Sequence, residues 1–139
     1  MRILIVDDEA VSQTKLQTLL SAYGECDMAS SGEQALDLVK KAEAEANPYN
    51  LITMDIQMSG MSGQDAVAAI REWERLKMLS PMRIVMVTVA SDIKNVSTSM
   101  NSGADAFLVK PFDEERIREV VNRSSMKSKL GLKIKPPTS

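Results

Sequence analysis

Short β-branched runs alternating with longer stretches of helical period are the feature that most restricts what this chain can become. The runs are Ile3–Val6, a weaker one at Cys26–Ala29, Leu51–Met54, Arg83–Val87 and Ala106–Val109. Most are continuously apolar rather than alternating, the pattern of strands covered on both faces. Between them, Leu16, Leu19, Leu20 and Tyr23 fall on one face of a first helix. Ser31 and Gln34 predict a capping box for a second, which continues through Ala35, Val39, Ala42 and Ala46 until Pro48 forbids extension. A third helix follows Gly63, with Val67, Ile70, Trp73 and Glu74 ahead of a linker ending at Pro81. A fifth starts at Asp113, a good N-cap, and buries Ile117, Val120 and Val121.

The fourth helical stretch, roughly Asp92–Ser102, is the weak one. Asn95, Ser97, Thr98, Ser99 and Asn101 are poor interior helix formers, and Gly103 is a natural terminator. It is either a mobile element or a surface helix held by tertiary packing. Five strands and five helices in strict alternation, joined by right-handed crossovers, close as an α/β doubly wound sandwich of three layers around a parallel sheet. At 139 residues the chain is long enough for one core. The pattern fades beyond Ser124, so residues 1–124 are expected to form the domain and 125–139 a basic C-terminal tail. Within that tail, Lys127–Ser139 reads as a short extension of the last helix followed by an irregular end.

Charge supports that division. Arg123–Ser139 carries five Lys/Arg and no Asp/Glu, leaving 12 basic and 19 acidic residues in the remainder. The tail reads as a solvated end, a docking segment for an acidic partner, or a linker to an output domain. The overall charge of −2 gives no reason to expect direct nucleic-acid binding. No apolar run reaches 18 residues and the opening apolar stretch is too short for a signal peptide, so no membrane association and a cytoplasmic location are expected. Cys26 is the single cysteine, which rules out an intrachain disulfide. The chain has no histidine, which removes Ser-His and Cys-His catalytic pairs, His-ligated zinc and any phosphohistidine of its own.

In such folds ligands sit outside the carboxyl ends of the strands. Asp7-Asp8 follow the first run, Asp55 the third, Thr88 the fourth and Lys110-Pro111 the fifth. Singly, each has an ordinary explanation: a helix cap, a turn residue, a strand residue, a solvated charge. Together, three clustered carboxylates repel one another unless a cation joins them, and Mg²⁺ with its oxygen ligands suits the set. A spare carboxylate beside Mg²⁺ suggests phosphoryl transfer, with Asp55 as nucleophile and Lys110 and Thr88 neutralising phosphoryl oxygens.

These residues also carry a resemblance. Asp7-Asp8-Glu9, Asp55-Ile56-Gln57-Met58-Ser59-Gly60-Met61-Ser62-Gly63, Thr88 and Lys110-Pro111-Phe112 resemble the receiver domain of two-component response regulators, including the single-domain chemotaxis type, over about residues 1–122. The resemblance implies a flavodoxin-like sheet of order 2-1-3-4-5 and Asp55 as phosphoacceptor. It implies Mg²⁺ held by Asp8, supported by Asp7, with Asp55 and the backbone carbonyl of Gln57. It further implies phosphoryl contact by Lys110, a switch hydroxyl at Thr88, a rotating aromatic at Phe107 and a cis peptide between Lys110 and Pro111. The implied donor is a sensor histidine kinase or histidine phosphotransfer protein, and the implied target docks on the face formed by the fourth helix, fifth strand and fifth helix. Such a domain is not a multiple-turnover enzyme. Two positions depart from the family pattern: Ser59 where proline is usual, and Val89 where a small residue is preferred.

Three rival readings accompany this one. An aspartyl-nucleophile phosphatase needs Asp-x-Asp after the first strand, whereas Asp8 is followed by Glu9, Ala10 and Val11. A degenerate receiver acting as a phosphorylation-independent interaction module would leave the five positions unused. A truncated transcriptional regulator would require an output domain outside this sequence.

Overall fold

The structure, a computed structural model, describes residues 1–130. Strands β1 (Arg2–Val6), β2 (Glu25–Ala29), β3 (Leu51–Asp55), β4 (Arg83–Val89) and β5 (Ala106–Lys110) form one sheet in the order β2-β1-β3-β4-β5. Every pairing is parallel. Helices α1 (Ala10–Leu20), α2 (Gly32–Ala44), α3 (Gly63–Lys77), α4 (Val96–Asn101) and α5 (Glu114–Leu130) cover both faces. The fold is thus the three-layer, flavodoxin-like α/β architecture that the alternation and the resemblance imply. Strand order reverses between β1 and β3, and a ligand crevice opens at such a switch point. Asp7, Asp8 and Asp55 lie there.

Alternate strand residues feed two separate cores. Leu4, Val6, Ile52, Met54, Ile84 and Met86 pack against Val39 and Ala42 of α2 and Val67 and Ile70 of α3. On the other face, Ile3, Ile5, Val85, Val87 and Leu108 pack against Leu16 and Leu20 of α1 and Ile117 and Val121 of α5. All of β3, and β1 from Ile3 to Val6, is buried, which accounts for the unbroken apolar runs. The edge strand β2 is only partly covered, so its run is correspondingly weak.

Three local features differ from the expectations. Helix α2 stops at Ala44, and Ala46 adopts a left-handed φ of 58°, so the helix ends before Pro48 can interrupt it. Ser31 Oγ accepts from the Gln34 amide at 3.1 Å, but Gln34 Oε1 reaches back to the Ser30 amide, one residue before the cap. The weak fourth stretch is a 3-10 segment at Ala90–Asn95 followed by the six-residue α4, shorter than Asp92–Ser102. Past its end, the Thr98 carbonyl accepts from both the amide and the hydroxyl of Ser102. Helix α5, capped by Asp113 Oδ1 accepting from the Arg116 amide, runs past Ser124 to Leu130. The remainder of the basic tail, 131–139, lies outside the described residues.

Candidate functional site

The rim at the carboxyl ends of β1, β3 and β5 gathers the acidic residues. Carboxylate oxygens of Asp7, Asp8 and Asp55 all lie within 4.8 Å of one another. Asp7 is fully buried and Asp55 is 6% exposed, whereas Asp8 faces solvent. Two unit charges this close repel by roughly 3–4 kcal/mol at an effective dielectric of about 20. The compensating charge within reach is Lys110, whose Nζ stands 3.4 Å from Asp7 Oδ2 and 3.4 Å from Ser12 Oγ. Three carboxylates face one ammonium.

Asp55 registers that surplus. Burial and the neighbouring Asp7 push its carboxyl up to about 7 from an ordinary 3.8, and Asp8 adds to the effect; Lys110 and a backbone hydrogen bond from Gln57 oppose it. A cation joining the three groups relieves the repulsion. An all-oxygen set with at least one solvent-facing carboxylate suits a hard divalent ion that keeps part of its water shell. The donor set therefore fits Mg²⁺.

The aspartates are not used as helix caps. The N-cap of α1 is Glu9, which makes no side-chain capping bond. Asp7 Oδ1 accepts from the Glu9 amide at 2.9 Å, a turn contact two residues on, and Asp8 Oδ2 accepts from the Ser59 amide at 3.1 Å across the rim. A helix-cap role is thus excluded for Asp7 and Asp8, while Asp7 also serves as a turn residue.

Thr88 is buried, with its hydroxyl 3.3 Å from the Val89 carbonyl. It lies one residue beyond Val87, the register partner of Asp55. Val89 is 43% exposed and pairs in register with Lys110. Phe107 is half-buried and packs against the core shared by α2 and α3. The Lys110–Pro111 peptide bond is cis. Beside Asp8 runs a groove of about 520 Å³, walled by Gln57, Met58, Ser59, Ser62 and Gln64. A larger cleft of about 880 Å³, with Tyr49, Trp73 and Pro81 in its wall, lies away from these acids at the other end of the sheet.

Several contributors escaped the sequence reasoning. Gln13 Nε2 donates to the Asp7 carbonyl at 2.6 Å and to the Ala29 carbonyl at 3.2 Å, tying the first loop to β2. Ser12 shares Lys110 with Asp7. Gly63 opens α3 so close to β3 that a Cβ there would stand 2.2 Å from the Asp55 carbonyl oxygen. Of these, only Gly63 lay within a motif already singled out.

Residues 3–122 match the family profile described as the response regulator receiver domain. The sensor histidine kinase GacS of Pseudomonas protegens is 34% identical over 121 residues, covering 86% of this chain and 13% of that kinase. The chain likewise spans less than half the length of a probable transcriptional regulator, ycf27, of Porphyridium aerugineum. Protein CcdB of Bacillus subtilis is 32% identical over 124 residues and is covered for 95% of its length. Among solved structures, the chemotaxis protein CheY4 of Vibrio cholerae superposes with a TM-score of 0.75 at 27% identity, over 88% of this chain and 97% of that one. Among the described residues no helix is long and apolar enough to cross a membrane. A doubly wound sheet with its acids at the switch point, matched in profile from residue 3 to residue 122, makes this chain a member of the response regulator receiver domains of two-component signalling.

Proposed function

We propose that Asp55 accepts a phosphoryl group from the phosphohistidine of a sensor histidine kinase or histidine phosphotransfer protein. The observation that carries this reading is the surplus of negative charge at the rim: Asp55 sits between two further carboxylates with one ammonium nearby. Asp8 and Asp55, with Asp7 behind them and the Gln57 carbonyl, would hold Mg²⁺. When bound, the ion supplies positive charge against the carboxylates and one phosphoryl oxygen.

The remaining chemistry belongs to the chain. An Asp55 carboxylate oxygen attacks phosphorus as the phosphorus–nitrogen bond of the donor breaks. The bonding pair stays on that nitrogen and, with the other ring nitrogen protonated, a neutral imidazole is left on the donor and an acyl phosphate here. Attack requires the carboxylate form, which the neighbouring acids oppose and Lys110 favours. The Lys110 ammonium is free to exchange Asp7, 3.4 Å away, for a phosphoryl oxygen. Thr88 can exchange its long contact to the Val89 carbonyl for another phosphoryl oxygen. A shift of that buried hydroxyl would vacate space that half-buried Phe107 can fill, altering the α4-β5-α5 face presented to a target. The short, polar α4 suits such a change, because a helix with few favourable interior residues moves at low cost.

Intact mass after incubation with acetyl phosphate and Mg²⁺ tests the reading. One added phosphoryl group is expected on the parent and none on Asp55→Asn. An unlabelled parent, or equal labelling of both, would overturn it.

A further inference from the structure

Each carboxylate of the rim receives one backbone amide. Asp7 takes the N–H of Glu9, Asp8 that of Ser59, and Asp55 that of Gln57. The first and last are contacts two residues along the chain. The second differs in kind: it spans 51 positions and joins the loop after β1 to the loop after β3. A proline at position 59 would abolish it, because proline has no N–H to give.

The geometry points to the Ser59 amide as a positioning group that orients Asp8 for the cation, a role resting on the metal site proposed above. With Oδ2 engaged at 3.1 Å, Asp8 has its other oxygen left for the ion, and a solvent-facing side chain loses its freedom to swing away. The loop offering the amide is itself fixed. Its first residue, Ile56, donates to the Val87 carbonyl at 3.0 Å and accepts from the Gly63 amide at 2.9 Å. Gly60 turns the chain after Ser59 with a φ of +78°, a conformation that side chains disfavour. Gly63 lies against the Asp55 carbonyl too closely for any Cβ. The amide therefore reaches Asp8 from a rigid frame, as outer partners of metal ligands do. The Ser59 hydroxyl has no part in this, so the role attaches to the backbone rather than to serine.

Titration calorimetry with Mg²⁺ separates the possibilities. Ser59→Ala keeps the N–H and should bind as the parent does, while Ser59→Pro should bind about tenfold more weakly, the usual scale for losing an outer partner of a metal ligand. Equal affinity of Ser59→Pro and parent would overturn the positioning role while leaving the metal site standing. A parent that binds no Mg²⁺ would overturn both. Should Ser59→Pro fail to fold, amide hydrogen exchange decides: the Ser59 N–H is expected to be protected in the metal-free parent and to lose that protection in Asp8→Ala. An amide equally protected in the two proteins would sink the inference.

Discussion

The two ends of the sheet each collect charged side chains and treat them in opposite ways. At the amino ends of β4 and β5, Arg71 of α3 meets Glu74 at 2.8 Å and Asp105 at 2.9 Å, and also donates to the carbonyls of Met82 and Gly103. Both carboxylates are further satisfied by backbone: Met82 N–H donates to Glu74 at 2.7 Å and Ile84 N–H to Asp105 at 2.9 Å. At the carboxyl ends, three carboxylates cluster within 4.8 Å of one another, and among the described residues one ammonium, that of Lys110, reaches them, 3.4 Å from Asp7. One cluster is compensated within the fold and fixes α3 against the strands. The other keeps a deficit of positive charge, which the raised Asp55 registers. Burial alone does not separate the two, since Glu74 and Asp55 are 3% and 6% exposed; partnership does.

Breaking the compensated cluster should have the largest effect. Arg71→Ala leaves Glu74 buried beside one backbone donor, and a loss of about 2–4 kcal/mol is expected. Denaturant melts should show a lower midpoint at unchanged slope. The rim should answer with the opposite sign. In metal-free protein at neutral pH, Asp55→Asn removes a charge the fold opposes, and the melting temperature should rise by roughly 3–6 °C, the shift expected of about 1–2 kcal/mol in a domain this size.

The same asymmetry sets a pH dependence. Asp55 is raised to about 7 in the folded chain from 3.8, so between those values the folded state binds more protons than the unfolded state. Its contribution is therefore most favourable below about 4 and is lost as pH rises through about 7. Thermal melts of metal-free parent and Asp55→Asn across this range should diverge with rising pH, the variant gaining; parallel curves would remove the asymmetry. Lys110→Met completes the comparison with Arg71. Removing Lys110 leaves fully buried Asp7 without its ammonium, and the long 3.4 Å contacts predict a loss of about 1–3 kcal/mol in the same denaturant assay, while the variant should accept phosphate poorly.

These contrasts also explain which parts of the molecule were legible in the sequence. Strands β1, β3 and β4 announced themselves because burial on both faces demands uninterrupted apolar residues, and topology then delivered Asp7, Asp8 and Asp55 to one rim. The role of Glu74 was not legible, because its partners, Arg71 and the Met82 amide, lie on another turn and another loop. The extent of α4 was obscure for a related reason: local competition by Ser, Thr and Asn side chains, not periodicity, sets where it begins and ends. The Ser59–Asp8 bond was illegible in principle, since a main-chain donor has no side-chain signature and its acceptor is 51 residues away.

The proposed metal site rests on a rim that carries more negative charge than Lys110 neutralises. Its most direct test is the melting temperature of parent and Asp55→Asn at pH 8 as Mg²⁺ is added. The parent should rise and saturate, gaining about 2.7 kcal/mol at a hundredfold excess over the dissociation constant, while Asp55→Asn, melting higher without metal, should rise much less. A parent indifferent to Mg²⁺, or equal rises in the two proteins, would contradict it.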